Sequence, residues 1–411
     1  MPDDPAQLAR LTASIVRSPH LALPLALLAC SSAPVDDLRE PDGDVDPTTT
    51  FVRRGSYAAG YQVVRHQDLE IKAWYPARGD ATASITYDVV LKFPGFPADP
   101  VAITGTALAG APVAEDGPHP LVVLSHGFGL NPEWYHPLAE HLASHGFVVL
   151  APEHREADWF TDVLAATIDR PLDVSATLDF AEEPAQSDWI ETDRVAVIGH
   201  SYGGYTALAT AGARLDPASL ATRCEDVTDP MKAAYFCDAF VGNEGVLAAS
   251  MGLPQIPAGL WPSMGDPRVD TVVTMAGDAY LFGEEGLAAV DLPVMAIGGT
   301  ADTGTPWEWG AQLAYDHVSS SQRALVGLEG AEHMIATASC DDMPFTDSMP
   351  EEYRFYMCED PAWDKADGLD VILHMTTAWL EHTLAGDEAA LRALDPALYT
   401  TDEMLSVYFE R

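Results

Sequence analysis

Residues 194–199 read RVAVIG, an apolar run that fits a strand buried on both faces of a sheet. Residues 203–213 read as a helix. Between them, Gly199-His200-Ser201-Tyr202-Gly203-Gly204 must turn the chain from strand to helix within a few residues. A turn this tight leaves little room for side chains beside the serine, and glycine at 199 and 203 meets that demand. The turn lifts the Ser201 hydroxyl to a helix N-terminus, where the backbone dipole favours developing negative charge. A bare G-x-S-x-G is a weak pattern. Set between a buried strand and a helix, it is the signature of a nucleophile elbow.

The rest of the chain repeats the strand–helix rhythm. Residues 60–65 and 69–76 read as opening strands, and 93–120 as a connection rich in Pro and Gly. Short apolar runs at 120–125 (PLVVLS), 146–152 (GFVVLAP), 269–275, 293–297 and 324–328 predict further buried strands. Helices are predicted at 137–144, at 171–182 with Pro171 in the first helical position, and at 370–384 as the closing element. Strands alternating with helices imply βαβ units and a mostly parallel sheet covered on both faces. With the elbow, this predicts an α/β-hydrolase fold over residues 51–411. Residues 214–265 break the rhythm, holding two cysteines, several prolines and Trp261. They read as an excursion over the carboxyl edge of the sheet, either a substrate-shaping lid or a stapled surface loop.

Acyl transfer at Ser201 needs donors for an oxyanion, a general base and a carboxylate to orient that base. The first donor expected is the Tyr202 N–H, directly after the nucleophile. The second is the Phe128 N–H, in the loop Ser125-His126-Gly127-Phe128-Gly129 that leaves an earlier buried strand. In this fold the acid and then the histidine follow the serine along the chain. His333, in Gly330-Ala331-Glu332-His333 after the last predicted strand, is the expected base. His317, His374 and His382 lie on helices, where structural or solvated roles are expected. Asp302, in GTADTGTP after the strand 293–297, is the expected acid, and Asp278, one strand earlier in GDAYLF, is its competitor. His200 is expected to pack under the elbow, His126 to brace its own loop, and His154 to hold a structural hydrogen bond. Trp307 and Trp309 are expected to pack on helices. No His, Cys or carboxylate cluster has a recognisable metal motif, so neither metal nor cofactor is expected.

The set HGFG, GHSYGG, GTADTGTP and GAEH resembles bacterial α/β-hydrolases of the dienelactone-hydrolase-like group. It is more distantly similar to platelet-activating-factor acetylhydrolases and cutinase-like polyester hydrolases. The resemblance covers roughly residues 55–385 and implies a metal-free esterase, monomeric or dimeric. Dienelactone hydrolases proper use a cysteine nucleophile, whereas position 201 is serine, which points away from that activity. The two acid candidates divide along the same lines. The GDAYLF stretch resembles the acid-bearing segment of the acetylhydrolases, and GTADTGTP the acid loop of the polyester hydrolases. The function expected is hydrolysis of small or polymeric carboxylic esters. A peptidase or amidase with the same triad and a non-catalytic exported binding lipoprotein are the alternatives.

The N-terminus carries Arg10 and Arg17 before the apolar stretch 21–29, and Cys30 follows. Such a stretch is too short to span a bilayer and suits a signal peptide over residues 1–29. Leu27-Leu28-Ala29-Cys30 resembles a lipobox, so a lipid anchor at Cys30 is the one membrane attachment expected. Residues 30–50, acidic and rich in Pro, read as a linker. Four cysteines remain and allow three disulfide connectivities. Cys224 with Cys237 and Cys340 with Cys358 is the pairing expected, because each pair brackets one loop. Asp plus Glu number 63 against 21 Lys plus Arg, a formal net charge of −42. So acidic a surface repels phosphate backbones and argues against a nucleic-acid partner.

Overall fold

The computed structural model describes residues 46–79, 84–92, 100–156, 158–340 and 351–411. The leader, Cys30 and the acidic stretch through residue 45 lie outside the described residues. The described residues form one compact unit. Asp46–Thr50 form a turn in which the Thr49 N–H donates to the Asp46 carbonyl at 3.1 Å. Phe51 is buried next, and its N–H donates to His374 Nδ1 at 3.2 Å.

The strands are β1 (Ala58–His66), β2 (Leu69–Ala77), β3 (Ile85–Val89), β4 (Val101–Gly105), β5 (Leu108–Ala109) and β6 (His119–Ser125). They continue with β7 (Val148–Pro152), β8 (Ile190–His200), β9 (Thr271–Met275), β10 (Val294–Gly299), β11 (Arg323–Leu328) and β12 (Leu405–Glu410). The helices are α1 (His136–Ser144), α2 (Trp159–Ala181), α3 (Tyr202–Thr210), α4 (Pro217–Cys224), α5 (Pro230–Lys232) and α6 (Glu244–Ser250). After them come α7 (Gly283–Leu287), α8 (Ala311–His317), α9 (Glu351–Cys358), α10 (Lys365–Ala385) and α11 (Glu388–Ala393).

Ten strands form one sheet in the order β12-β11-β10-β9-β8-β6-β7-β2-β1-β5. Its six central strands, β11 through β7 in that order, are parallel, while β12, β2 and β1 add antiparallel pairings at the flanks. Every residue of β7, β9 and β10 is buried. That double-sided burial is why these strands are continuous apolar runs rather than alternating ones. One core layer gathers residues of α2, α3 and α8, and the other gathers residues of α1 and α10. From β6 the chain goes to β7 on one side and then to β8 on the other. The crevice outside the carboxyl ends of β6 and β8 is therefore a topological switch point, where open α/β sheets bind ligands.

Three expectations need correction. The connection over 93–120 holds β4 and β5. β4 pairs antiparallel with β3 as a separate two-stranded sheet. Residues 93–99 themselves lie outside the described residues. Each of these strands is exposed on alternate residues, too short a period-two signal to stand out among turn residues. The helix expected from Pro171 begins twelve residues earlier, at Trp159, capped by the Asp158 carboxylate accepting from Phe160 N–H and Thr161 N–H. Pro171 sits inside it, where a proline removes one backbone bond and costs about 3 kcal/mol or more. The carbonyl left without its donor is that of Thr167, four residues back, and the Tyr205 hydroxyl donates to it at 2.8 Å. The helix over 370–384 begins at Lys365 and does not close the fold. α11 and β12 follow, and β12 pairs onto β11.

Cys224 is bonded to Cys237 and Cys340 to Cys358, the local pairing. Among the described residues no helix is long and apolar enough to cross a membrane.

Candidate active site

β8 ends at His200, and Ser201 takes φ 57° and ψ −123° before α3 begins. Positive φ on a residue with a side chain is strained by about 1–3 kcal/mol. Its surroundings hold it there. The Ser201 N–H donates to the Met275 carbonyl at 2.9 Å, and the Gly204 and Tyr205 N–H groups donate to the Ser201 carbonyl at 2.8 and 3.2 Å. A Cβ on Gly199 would lie 2.1 Å from the Gly203 carbonyl oxygen, and one on Gly203 1.9 Å from that of Ser125. Backbone stands at both points, so neither glycine can be replaced without moving the elbow.

His333 opens a short 3₁₀ turn after β11. Its Nδ1 lies 3.0 and 2.9 Å from the two carboxylate oxygens of Asp302, in the loop after β10. Both side chains are buried. Burial alone drives an imidazole toward its neutral form. Here the Asp302 charge and hydrogen bond, aided by Asp278 and Glu332, outweigh it, and the His333 pKa lies above the usual value. Glu332 ties the two loops together, accepting from Thr303 N–H and Thr303 Oγ1, each at 2.9 Å.

Asp278 follows β9 and is buried without touching His333 Nδ1. Its Oδ1 accepts the Thr305 hydroxyl at 2.6 Å, and the Thr305 N–H donates to Asp302 Oδ1 at 2.7 Å. Thr305 thus joins the two carboxylates. Burial pushes the Asp278 pKa up to about 6, with the Thr305 hydrogen bond opposing.

Ser201, His333, Asp278 and Phe128 line one cavity of about 610 Å³. Among the described residues no hydrogen bond joins Ser201 Oγ to His333, a looseness common in unliganded sites. Tyr202 is the first residue of α3, where an N–H has no partner within the helix. Among the described residues neither the Phe128 nor the Tyr202 N–H meets a backbone acceptor. The wall also carries the aromatic side chains of Trp159, Phe160 and Tyr356, with Lys92, Asp158, Asp229 and Lys232 among its charged residues. Tyr235 and Phe236, from the 214–265 excursion, also line it, and the Cys224–Cys237 bridge anchors the turn that carries them.

The histidines near the elbow are structural. His200 Nε2 lies 2.9 Å from the His333 carbonyl, which only accepts, so Nε2 carries the proton. Nδ1 then accepts the Tyr135 hydroxyl at 2.8 Å, and that oxygen accepts the Gly127 N–H at 3.0 Å. Burial holds His200 neutral. One chain of hydrogen bonds therefore links the 126–129 loop, the elbow and the His333 loop. His154 stands between Ser125 Oγ at 2.9 Å and Asp173 Oδ2 at 2.8 Å, a second serine–histidine–aspartate string. Ser125 is wholly buried in β6 and does not line the cavity, so this string is internal support. Trp309 packs on Phe236 and Tyr280, and Trp307 packs against Gly298. Tyr135, Thr305 and Glu332 carried no signal in the sequence, since their partners lie far along the chain or have no motif spacing.

The parallel sheet, with its serine elbow at the switch point and a histidine–carboxylate pair after the next strands, has the α/β-hydrolase fold. A family model described as chlorophyllase matches residues 97–230, about a third of the chain. That stretch includes the elbow and the 126–129 loop and stops short of Asp278, Asp302 and His333. The chain is 29% identical over 156 residues to the platelet-activating factor acetylhydrolase of Canis lupus familiaris, covering 26% of this chain and 35% of that one. It is 30% identical over 155 residues to chlorophyllase-1 of Arabidopsis thaliana, covering 33% of this chain and 41% of that one. The chain thus spans about a third to two fifths of the length of these relatives. A ferulic acid esterase from Streptomyces cinnamoneus shares the fold with a TM-score of 0.55 at 18% identity, covering 86% of this chain and 97% of that one.

Proposed function

We propose that the chain is a carboxylic ester hydrolase acting through an acyl-enzyme on Ser201. The observation that carries this reading is the contact of His333 Nδ1 with both oxygens of Asp302, made by a histidine that lines the same cavity as Ser201. In the proposed reaction Ser201 Oγ attacks the ester carbonyl carbon and His333 Nε2 takes the hydroxyl proton. Asp302 holds the tautomer with the proton on Nδ1 and stabilises the imidazolium that forms. The tetrahedral oxyanion receives the Phe128 and Tyr202 N–H groups. Collapse breaks the carbon–oxygen bond to the alcohol, which leaves with the proton from His333. Water, deprotonated by His333, then attacks the acyl carbon and frees Ser201. That the relatives are named acetylhydrolase, chlorophyllase and ferulic acid esterase supports an ester over an amide. The two disulfides support a mature protein outside a reducing cytoplasm. Export through residues 1–29 and lipidation at Cys30 belong to the same reading.

The cavity volume lies in the range of small-ligand pockets, so short to medium acyl esters are the expected substrates. The test is a series of p-nitrophenyl esters of increasing acyl length, run beside the matching anilides, a long-chain triglyceride, a phospholipid and a polyester. Short and medium esters are expected to turn over fastest. Faster cleavage of anilides would make the enzyme an amidase, and faster cleavage of the triglyceride would overturn the size assignment.

A pH dependence follows. The base works only when neutral, and the folded pKa of His333 is raised. Activity is therefore lost as pH falls through that raised value. The acid limb of kcat/KM is expected to have its midpoint above the ordinary histidine value of about 6.5. A midpoint at or below it would contradict the Asp302–His333 coupling.

A further inference from the structure

Beneath the two proposed oxyanion donors lies an ion pair that takes no part in the proposed reaction. Arg170, on α2, and Glu156, after β7, are buried, and Arg170 has no exposed surface at all. The guanidinium donates through Nε to Glu156 Oε2 at 3.3 Å and through Nη2 to Glu156 Oε1. Its Nη1 donates to the His126 carbonyl at 2.6 Å. Its central carbon lies 5.7 Å from the ring centre of Phe128 and 5.4 Å from that of Tyr202. The two rings meet edge to face at 5.9 Å. One cation therefore touches both residues whose N–H groups are assigned to the oxyanion.

We infer that the Glu156–Arg170 pair is the positioning element of the oxyanion hole, setting the separation between the Phe128 and Tyr202 N–H groups. This rests on the proposed ester hydrolysis at Ser201. The loop is held from several sides. The His126 carbonyl is taken by Arg170, the Gly127 N–H by the Tyr135 hydroxyl, and the Gly127 carbonyl by His126 Nδ1 at 2.8 Å. His126 Nε2 in turn accepts the His154 N–H at 3.0 Å. The Phe128 N–H, between these anchored groups, meets no backbone acceptor among the described residues. Stability alone does not account for the pair, because a buried ion pair gains little over apolar side chains of the same volume. Arginine is also the side chain that suits the task. Its planar fork can pair with a carboxylate, reach a carbonyl and present flat faces to two rings at once, which a lysine ammonium cannot. Preorganised donors stabilise an oxyanion only where they are fixed before it forms.

The test compares wild type, Arg170→Lys and the double variant Glu156→Leu/Arg170→Met, which removes both charges together and strands neither. Each is checked for folding by near-ultraviolet circular dichroism and melting temperature. Two readouts are taken: kcat and KM on p-nitrophenyl butanoate, and the Ki of a trifluoromethyl ketone. The ketone captures Ser201 as an anionic hemiketal and so reports the oxyanion hole. Arg170→Lys is expected to fold, to lose about 10- to 100-fold in kcat with KM within about twofold, and to bind the ketone more weakly by a similar factor. The double variant is expected to change in the same direction if folded, and Arg170→Lys alone decides if it is not. Wild-type kcat and Ki in folded Arg170→Lys would overturn the inference. So would its failure to fold, because a positioning role predicts a folded, slow enzyme. A wild type that turns over no ester would instead refute the function proposed for Ser201, and this inference with it.

Discussion

Ser201→Ala is expected to abolish ester turnover and labelling by a fluorophosphonate while leaving the fold intact. Alanine keeps the Cβ that the elbow already accommodates at φ 57°, and the backbone bonds that hold the turn do not involve the hydroxyl. Without Oγ no acyl-enzyme forms, and the loss in kcat should approach the ~10⁶-fold measured for removing the nucleophile of a serine protease. Any residual rate would come from bound water and the oxyanion donors. Fluorophosphonate chemistry gives an independent reading, since Oγ attacks phosphorus, fluoride leaves and the mass of the adduct stays on residue 201. Turnover of the alanine variant near the wild-type rate, with folding verified, would remove the acyl-enzyme proposal.

The second large effect separates two carboxylates. Asp302→Asn is expected to lower kcat by about 10⁴, because an amide that donates to Nδ1 leaves the imidazole with its proton on the wrong nitrogen. Asp278→Asn is expected to leave kcat within about tenfold, since its carboxylate accepts from Thr305 and does not touch His333 Nδ1. Stability should move where activity does not. The Asp278 carboxyl titrates near 6 when folded, against about 3.9 in an unfolded chain. A group whose folded pKa is raised stabilises the protein below its unfolded pKa. That contribution is lost as pH rises through the folded value. Wild type therefore forfeits on the order of 2–3 kcal/mol between about pH 4 and pH 6, and the asparagine variant does not. Its advantage in denaturant midpoint should appear over that window and persist at pH 8. A collapse of turnover in Asp278→Asn with Asp302→Asn nearly unaffected would reverse the two roles.

The elbow was legible in the sequence because its constraint is local. A strand, a serine and a helix compressed into one turn demand glycine at 199 and 203, and the contacts a Cβ would meet there are the physical content of the motif. The central strands were legible for a related reason: burial on both faces writes an unbroken apolar run. The disulfide pairing followed from two short loops. Tertiary structure alone decided the rest. Asp278 and Asp302 both follow strands, and nothing in either motif says which reaches an imidazole that arrives from a third loop. Pro171 looked like a helix start because its missing N–H is harmless there. In the fold, the hydroxyl of Tyr205, 34 residues further along, supplies the bond and the helix runs through. Glu156 and Arg170 belong to no motif, and only the fold brings them together with the 126–129 loop and the elbow. A contact between distant segments leaves no period in the chain, so the support around the proposed site appears only when the chain is folded.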